Sequence, residues 1–344
     1  MSSDSIRIGI VGAGANTRLR HVPGFRSIEG VELVGVVNRS AESSRRAAEE
    51  FEIPRTFDSW QQLVADEDID AVMIGTWPNM HAEITCAALE AGKHVMTEAR
   101  MARTASEAHA MSAASRARPE LVTQIVPSPF GLFCHDYVRA LIDDGFLGEL
   151  RELVIIGAND QFHDTDQPLH WRQDREISGF NVLAMGILHE AALRWAPDPT
   201  RVFAQVATCG PTWTDGEATI PDSVQVLTEL AGGGRGLYHL SGIALFGPGF
   251  HLHFYGSAGT IRLALAPEQQ LLIGKAGEDE LHEPEIPADQ LGDWRVEEEF
   301  IGAIRGEETI RFTDFDTGVK YMEFTEAVAR SAESGQPVDL PLAD

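Results

Sequence analysis

Lysine is the residue that this sequence most conspicuously lacks. Only Lys93, Lys275 and Lys320 occur in 344 residues, and 27 basic residues stand against 53 acidic ones, which gives a formal net charge of −26. Such a surface repels nucleic acid and anionic lipid, so neither is an expected partner. Two origins of the bias are open. Salt screens acidic repulsion, which favours a salt-adapted host, whereas a GC-rich genome also replaces lysine by arginine.

Cysteine is also scarce, and long apolar runs are missing. Cys86, Cys134 and Cys209 are far apart and odd in number, which indicates buried free thiols rather than disulfides or a metal site. No His, Cys and Asp cluster has metal-ligand spacing, so no metal is expected. No apolar run reaches the roughly 18 residues of a membrane span, and the start, MSSDSIRIGIVGAG, lacks the basic region of a signal peptide. A cytoplasmic protein without membrane contact is expected.

Strand-like and helix-like segments alternate in the first third of the chain. Apolar runs of buried-strand type, such as Ile6–Val11, Val31–Asn38 and Ile69–Thr76, are each followed by helical periodicity. This alternation predicts an α/β Rossmann domain with a doubly wound parallel sheet. After Pro127, strands follow one another with few helices between them, which predicts an α+β domain with a large, open, mostly antiparallel sheet. The expected boundary lies between residues 126 and 127.

A glycine turn follows the first strand. Gly12 and Gly14 lie between that strand and a helical segment, where glycines let the backbone approach a pyrophosphate held at the helix N-terminus. Thr17 takes the place of the third glycine of the usual motif. The position of the turn predicts a nucleotide site formed by Gly12, Gly14, Ala15, Asn16 and Thr17.

The second strand ends without the acidic residue that usually contacts the ribose 2′-hydroxyl of NAD. Asn38, Arg39 and Ser40 stand there instead. Arginine can pair with a 2′-phosphate, serine can donate to it, and no carboxylate repels it, so NADP is expected as cofactor and NAD is less favoured. The alternative is that Arg39 is a solvated arginine at a helix start.

Six motifs are specific together, although each is weak alone. They are IGIVGAG, GTWPNMHAE (Gly75–Glu83), ALEAGKHVMTE (Ala88–Glu98), GFLGEL (Gly145–Leu150), YGSAGTIRL (Tyr255–Leu263) and EFIGAIRGEE (Glu299–Glu308). In this combination the chain resembles the glucose–fructose oxidoreductase, inositol dehydrogenase and MocA family over nearly its whole length.

This resemblance implies that residues 1–126 are the Rossmann domain, for which Asn38, Arg39 and Ser40 predict NADP, and that residues 127–344 bind a sugar-like or polyol substrate. It also implies a homodimer or homotetramer that associates through one face of the second sheet. The motifs add the following residues to the predicted cofactor site: Thr76, Trp77, Pro78, His81, Glu98 and Arg100.

The residues that usually carry catalysis in this family are absent. The resemblance implies Glu-Lys-Pro after the fourth strand, but the sequence has Glu98, Ala99 and Arg100. It also implies an aspartate and a histidine on a later helix, at the positions of Ala184 and Leu188. The catalytic roles of the family therefore cannot be carried over to this chain.

The segment after Pro168 offers replacements. A histidine near a carboxylate can act as a general acid or base near neutral pH, so His170, Asp174 and His189 are the predicted catalytic residues. Structural alternatives stay open. His189 could be a satisfied histidine of the core, and His170 with Arg172 could pair with Asp174 only to brace the loop.

The same segment carries the predicted substrate-binding residues. Trp171 could stack on a sugar face, and Arg172 and Asn181 could bind hydroxyl groups. A small carbohydrate-like molecule is therefore the expected substrate.

Three functions are open. The first is an NAD(P)-dependent oxidoreductase that transfers a hydride between nicotinamide and a sugar-like or polyol substrate. The second is a hydrolase or lyase that retains its cofactor and acts by transient oxidation; turnover without net NADPH production would distinguish it. The third is a catalytically silent nucleotide-binding sensor, which cofactor binding without turnover would favour.

The later strands carry apolar residues that predict self-association. Val226, Leu230, Leu237 and Leu240 would leave a sheet face uncovered unless another subunit packs on it. We therefore expect association through that face.

Overall fold

The computed structural model describes residues 5–210 and 212–343. The strands are β1 (Ile6–Val11), β2 (Val31–Val37), β3 (Arg55–Thr56), β4 (Ala71–Ile74), β5 (His94–Thr97), β6 (Thr123–Ile125), β7 (Leu150–Ala158), β8 (Pro199–Ala207), β9 (Thr212–Trp213), β10 (Gly216–Glu217), β11 (Ser223–Leu230), β12 (Arg235–Ser241), β13 (Gly249–Gly256), β14 (Gly259–Ala266), β15 (Gln270–Lys275) and β16 (Val338–Asp339). The α-helices are α1 (Val22–Ser27), α2 (Ala41–Glu50), α3 (Trp60–Val64), α4 (Pro78–Glu90), α5 (Ala105–Arg116), α6 (His135–Asp143), α7 (Arg175–Ser178), α8 (Met185–Leu193), α9 (Val296–Arg305) and α10 (Phe315–Ser334). None of these helices is long and apolar enough to cross a membrane.

The contacts within the chain divide it into two compact units. The first unit holds the chain up to Pro127 together with Arg295–Val319, and the second holds Ser128–Trp294 together with the chain from Lys320 onward. Arg295–Val319 thus returns to the first unit late in the chain. The assignment of residues 1–126 to cofactor binding and of 127–344 to substrate binding and association remains a prediction.

The first unit contains a six-stranded parallel sheet in the order β3-β2-β1-β4-β5-β6. The strand order reverses between β1 and β4. The central strand β4 is apolar and buried at every position, as expected for a strand with both faces covered. The predicted Rossmann fold is confirmed. The strands β2 and β4 are shorter than their apolar runs, since the hydrogen-bonded ladder ends before the run does.

The returning segment packs on this first sheet. The backbones of Ile125 and Thr313 exchange two hydrogen bonds, of 2.9 and 3.1 Å, at the edge formed by β6. Helix α9 lies against α1, where the rings of Phe25 and Phe300 meet edge to face with centroids 6.5 Å apart. The segment therefore brings Glu297, near the start of α9, next to the first helical turns of the chain.

The second unit is built on an eight-stranded sheet in the order β15-β14-β13-β7-β12-β11-β8-β16. Strand β7 pairs parallel with β12, and the other neighbours pair antiparallel. A mostly antiparallel sheet is thus confirmed. The sheet is not a simple meander, because β7 inserts between β12 and β13, which are consecutive in the chain. Leu188 of α8 and Phe324 of α10 share one core cluster with Tyr238 of β12.

The apolar residues chosen for the association face do not share one face. Val226, Leu230 and Leu240 are at most 3% exposed and belong to the core, whereas Leu237 is 43% exposed. Successive residues of a strand point to opposite sides, so even-numbered positions of β11 and β12 face inward and odd-numbered ones outward. The outward partner of Leu237 is Leu227, which is 57% exposed.

Candidate functional site

The turn after β1 lies where the strand order of the parallel sheet reverses. Gly12 has a φ of +88°, and its N–H donates to the carbonyl of Val37 at 2.8 Å. A Cβ atom on Gly12 would lie 2.8 Å from the backbone nitrogen of Thr76, and one on Gly14 would lie 3.3 Å from the carbonyl oxygen of Gly75. The turn has no room for side chains at either glycine, so its backbone can come close to a pyrophosphate.

Thr17 is accommodated by a glycine on the facing strand end. Its side chain is buried, and its hydroxyl donates to the carbonyl of Gly12 at 3.3 Å. A side chain on Gly75 would collide with that hydroxyl. Threonine therefore fits at position 17, where the usual motif has glycine, because the facing residue, Gly75, has no side chain. Ala15 and Asn16 complete the turn, and a short π-helical turn, Thr17–His21, follows it.

Asn38 and Ser40 brace the segment after β2. Asn38 Oδ1 accepts the N–H of Ala13 at 2.7 Å, and Nδ2 donates to the carbonyl of Ser43 at 3.0 Å. Ser40 Oγ accepts the N–H of Ser43 at 3.2 Å and caps α2. Both polar side chains therefore hold the glycine turn and the helix start in place.

Arg39 lies beside an aromatic side chain from the loop that follows β4. Its guanidinium carbon is 5.8 Å from the centre of the Trp77 ring, and Trp77 is 40% exposed. A guanidinium near an aromatic face gains cation–π attraction. The pair sets a positive group and a flat apolar surface at the carboxyl ends of β2 and β4, on the side of the sheet where Arg39 was predicted to contact cofactor.

His81 connects two loops at the carboxyl edge of the sheet. Its ring nitrogens lie 3.0 Å from the carbonyl oxygens of Thr76 and Arg100, and burial lowers its pKa. Pro78 starts α4, and Arg100 is 3% exposed. His81 and Pro78 thus position the loop. The Thr76 hydroxyl is buried and has no hydrogen-bond partner among the described residues, which fits a site completed by a bound polar group.

Glu98, directly after β5, belongs to a buried polar cluster. Its Oε1 accepts from Asn16 Nδ2 at 2.7 Å and lies 3.0 Å from His21 Nε2, and its Oε2 accepts the N–H of Ala99 at 3.2 Å. The other ring nitrogen of His21, Nδ1, contacts Glu297 Oε1. The His21 side chain is fully buried, whereas that of Glu98 is 15% exposed. A line of three groups therefore runs from the interior to a partly exposed carboxylate.

The two carboxylates keep His21 charged. Burial opposes protonation of the ring, but hydrogen bonds to Glu297 and Glu98 outweigh it and raise the pKa of His21 to about 9. Burial also acts to raise the pKa of Glu98, but the hydrogen bond and charge of His21, with smaller effects of Asn16 and His81, together outweigh it, so the pKa of Glu98 lies below its ordinary value. At neutral pH the cluster holds an imidazolium between two carboxylates.

Sequence reasoning missed His21 and Glu297. They are 276 residues apart in the chain, and neither lies in a motif that names its partner. The one usable signal is that a histidine falls on the helical segment directly after the glycine turn.

The predicted catalytic and substrate-binding residues of the second unit fall into two groups. The first lies on a short 3₁₀ turn, Trp171–Gln173, and the start of α7. His170 Nδ1 accepts the N–H of Arg172 at 3.2 Å, and Asp174 Oδ1 accepts the N–H of Glu176 at 2.8 Å. The guanidinium carbon of Arg172 lies 4.2 Å from the centre of the Trp171 ring. Burial, with the charge of Arg172, lowers the pKa of His170.

The second group is buried. His189 is 2% exposed, its Nδ1 lies 2.8 Å from the hydroxyl oxygen of Tyr238, and its ring stacks on Phe324 with centroids 3.8 Å apart. Burial lowers the pKa of His189 to about 3. Asn181 is fully buried and donates to the carbonyl of Ser178 at 2.7 Å. For His189 this placement favours the core alternative, since a neutral, enclosed imidazole cannot exchange protons with a substrate near neutral pH.

Helix α8 and its N-cap carry apolar residues, Leu188 and Ala184, at the two positions where the resemblance implies a histidine and an aspartate. Leu188 is fully buried, and a Cβ atom on Gly157 of β7 would lie 2.6 Å from Leu188 Cδ1. Leu188 thus packs on the sheet at the position where a histidine was implied. In the described ranges, no group of three or more His, Cys, Asp or Glu residues could hold a metal ion.

The first unit is a dinucleotide-binding domain of the Rossmann class. It has a parallel sheet with a glycine turn at the point where the strand order reverses, and the polar cluster of Glu98, His21 and Glu297 lies at the carboxyl edge of that sheet. The chain belongs to the Gfo/Idh/MocA oxidoreductase family. Residues 6–124 match the family model described as "Oxidoreductase family, NAD-binding Rossmann fold", and residues 135–262 match that of the GFO/IDH/MocA C-terminal domain.

Characterised relatives are similar over part of the chain. A dTDP-3,4-didehydro-2,6-dideoxy-alpha-D-glucose 3-reductase from Saccharopolyspora spinosa is 32% identical over 193 residues, 55% of either chain. A 1,5-anhydro-D-fructose reductase from Ensifer adhaerens is 31% identical over 58% of this chain and 59% of the relative. The chain thus matches little more than half the length of these relatives.

A solved structure extends the likeness in fold to the whole chain. Levoglucosan dehydrogenase, in a complex with NADH and levoglucosan, superposes with a TM-score of 0.87 at 22% identity, over 98% of this chain and 100% of that one. At this identity the comparison concerns the fold.

Proposed function

We propose that the protein is an NAD(P)-dependent oxidoreductase that transfers a hydride between nicotinamide and a carbon of a sugar-like or polyol substrate. The observation that carries the proposal is the glycine turn at the reversal point of the parallel sheet, where Gly12 and Gly75 let the ends of β1 and β4 approach each other closely. Reductases of a deoxysugar nucleotide and of an anhydrosugar among the relatives support the substrate class. The lyase and sensor alternatives draw no support from the relatives' names.

NADP is the proposed preferred cofactor. Arg39 lies at the end of β2, where the ribose 2′-position of a dinucleotide is read, and Trp77 beside it offers a flat surface. Arginine pairs with a phosphate through charge-assisted hydrogen bonds. Asn38 and Ser40 bring no negative charge to this corner, and their hydrogen bonds to Ala13 and Ser43 fix the backbone on which Arg39 stands.

The chain's own residues then perform positioning and proton handling. A bound nicotinamide cofactor supplies the hydride donor or acceptor. The glycine turn holds the diphosphate, and the Thr76 hydroxyl is available to the cofactor. His170 and Asp174, on adjacent turns after Pro168, are the proposed acid/base residues, and Trp171 with Arg172 is the proposed sugar-binding surface.

Cofactor titrations of wild-type protein and of Arg39→Ala test this proposal. We expect wild type to bind NADPH more tightly than NADH, and Arg39→Ala to lose about tenfold or more in NADPH affinity, because an arginine–phosphate pair is lost. NADH affinity should change little. Arg45→Ala, an exposed arginine on α2, is the matched control.

Two results would count against the proposal. Equal or tighter NADH binding by wild type would remove the NADP assignment. If wild type binds neither cofactor, or binds one but turns over no member of a panel that includes 1,5-anhydro-D-fructose and nucleotide-linked deoxysugars, the oxidoreductase assignment loses its support.

A further inference from the structure

The cluster of Glu98, His21 and Glu297 has features that packing alone does not require. Its charged groups come from three separate elements of the first unit, namely the end of β5, the turn before α1 and the start of α9. A fully buried histidine is held between two carboxylates, and only Glu98, at the carboxyl edge of the sheet, is partly exposed. Burying an ion is costly unless it is paired, so this arrangement must be stabilised by its own contacts.

A glycine makes room for the inner carboxylate. A Cβ atom on Gly24 of α1 would lie 2.8 Å from Cγ, Cδ and Oε2 of Glu297. Gly24 has an ordinary helical position and costs helix stability relative to alanine. Because Gly24 has no side chain, Glu297 can reach Nδ1 of His21. The contact is therefore made at the cost of some stability of helix α1.

The position of Glu98 relates the cluster to the cofactor. In a sheet of this order, a dinucleotide binds across the point between β1 and β4 where the strand order reverses. One nucleotide half would then lie at the ends of β1 to β3 and the other at the ends of β4 to β6. Arg39 follows β2, on the half proposed to carry the adenosine phosphate. Glu98 follows β5, on the other half, which is where the nicotinamide ring would lie. Asn16, at the glycine turn, donates a hydrogen bond to Glu98 at 2.7 Å and so connects the predicted pyrophosphate site with Glu98.

We propose that His21, with Glu98 and Glu297, is a buried proton-holding site whose protonation is coupled to the redox state of the nicotinamide. This inference rests on the proposed function. An oxidised nicotinamide ring carries a positive charge and a reduced ring does not. Like charges disfavour each other, so binding of the oxidised form promotes loss of the proton from His21, while the reduced form leaves it in place.

The coupling suits carbonyl reduction. That reaction forms one C–H bond with the hydride of the reduced cofactor and one O–H bond with a proton, and it leaves the oxidised cofactor. With a reduced cofactor bound, His21 would hold a proton; once the ring is positive, loss of that proton through the Glu98 carboxylate would be favoured, and the proton would supply the new O–H bond. His21 is thus a positioning and proton-holding residue that acts through Glu98, and Glu98 accepts the N–H of Ala99, the residue at the position of the missing lysine.

Proton linkage predicts that affinity for the oxidised cofactor rises with pH. The pKa of His21 is about 9, so the ring is charged at neutral pH and loses its proton as the pH rises through that value. Affinity for the oxidised cofactor should therefore rise by about tenfold between about pH 7 and 10, the size of one charge interaction near a protein surface. Affinity for the reduced cofactor should stay nearly constant over that range. Glu98 and Glu297 face the ring directly, and the buried His81, whose pKa burial lowers, interacts with Glu98.

The test is a set of titrations with NADP⁺ and NADPH across this pH range, on full-length protein. His21→Gln removes the titrating ring and should abolish the rise for NADP⁺. Gly24→Ala changes no charged residue and pushes the Glu297 carboxylate away, so the rise should move to lower pH because the proton is held less tightly. His109→Gln is the matched control, since His109 is an exposed histidine on α5 of the same unit, and it should behave as wild type.

Three results would overturn the inference: an NADP⁺ affinity that does not vary with pH in wild type, an equal rise for NADPH, or an unchanged rise in both His21→Gln and Gly24→Ala. If His21→Gln does not fold, Gly24→Ala decides alone, because alanine favours the helix. Failure of wild type to bind either form would overturn the proposed function and this inference together. Tight binding of both forms with the same pH dependence would overturn the inference only.

Discussion

His170 and His189 carry the same side chain in opposite surroundings. His170 caps a turn in the second unit and is exposed, whereas His189 lies between Tyr238 and Phe324 in the core. A general acid or base must reach its substrate and must titrate near the working pH. Of the two histidines, His170 meets both conditions better.

Alanine substitution should separate these roles. We expect His170→Ala and Asp174→Ala to lower turnover by about 100-fold, the usual scale for a lost acid/base group, with little change in NADPH affinity. His189→Ala should instead destabilise the fold by about 2 kcal/mol or more, because it leaves a cavity against Phe324 and an unpaired Tyr238 hydroxyl. Steady-state kinetics and denaturant unfolding measure the two effects, and His163→Ala, at an exposed histidine, is the control.

Acid titration gives His189 a second signature. Its pKa falls from 6.5 to about 3 on folding, so its contribution to stability is complete above about pH 6.5 and is lost as the pH falls towards 3. His189→Phe should lose less stability over that range than wild type does. Normal turnover in both His170→Ala and Asp174→Ala would remove the acid/base assignment from this segment, and a stable but inactive His189→Ala would return it to His189.

At the scale of elements, local patterns were sufficient to predict the parallel sheet of the first unit. Apolar strands, helical periodicity and Gly12-x-Gly14 predict the parallel sheet and its turn, because each signal lies within a few residues. The pairing of β7 with β12 could not be predicted in this way, since nothing local tells a strand which partner it takes. The contact of His21 with Glu297 was missed for the same reason.

The association face could not be identified from apolar residues alone, because the strand register decides which side of the sheet each residue faces. Val226 and Leu237 are both apolar, yet one faces the core and the other the solvent, because they occupy positions of opposite parity on paired strands. A shift of one residue in a strand exchanges its two faces. The exposed candidates are instead Leu227 and Leu237, which lie opposite each other on β11 and β12.

Self-association through this face predicts a specific effect of charge. Replacing Leu227 and Leu237 by glutamate should give a monomer in sedimentation velocity at micromolar concentration, because carboxylates resist burial between apolar surfaces. The melting temperature should change little in the monomer, since both side chains are exposed there. Leu291→Glu, at a leucine that is also 57% exposed, should leave the oligomer intact. Wild-type protein that is itself monomeric would rule out the predicted dimer or tetramer.

For the whole molecule, the dominant property is its charge. A net charge of −26 on 344 residues produces mutual repulsion that no pairing of arginines can neutralise. The described ion pairs are mostly exposed ones, such as Arg18 with Glu50 and Arg201 with Asp339, and such pairs contribute at most about 1 kcal/mol each. Salt therefore weakens the repulsion more than it weakens these attractions.

Salt should accordingly stabilise the fold. As KCl approaches about 1 M, the Debye length falls to about 3 Å and the repulsion between acidic groups is screened, so the melting temperature should rise steadily. Asp279→Asn with Glu280→Gln removes two charges from an exposed loop without touching the core, and it should raise the melting temperature at low salt and reduce its dependence on KCl. Sucrose at matched osmolality separates screening from exclusion of solute, because it carries no charge. A melting temperature that is flat or falls with KCl would attribute the scarcity of lysine to genome composition, and the acidic surface would then be no adaptation to salt.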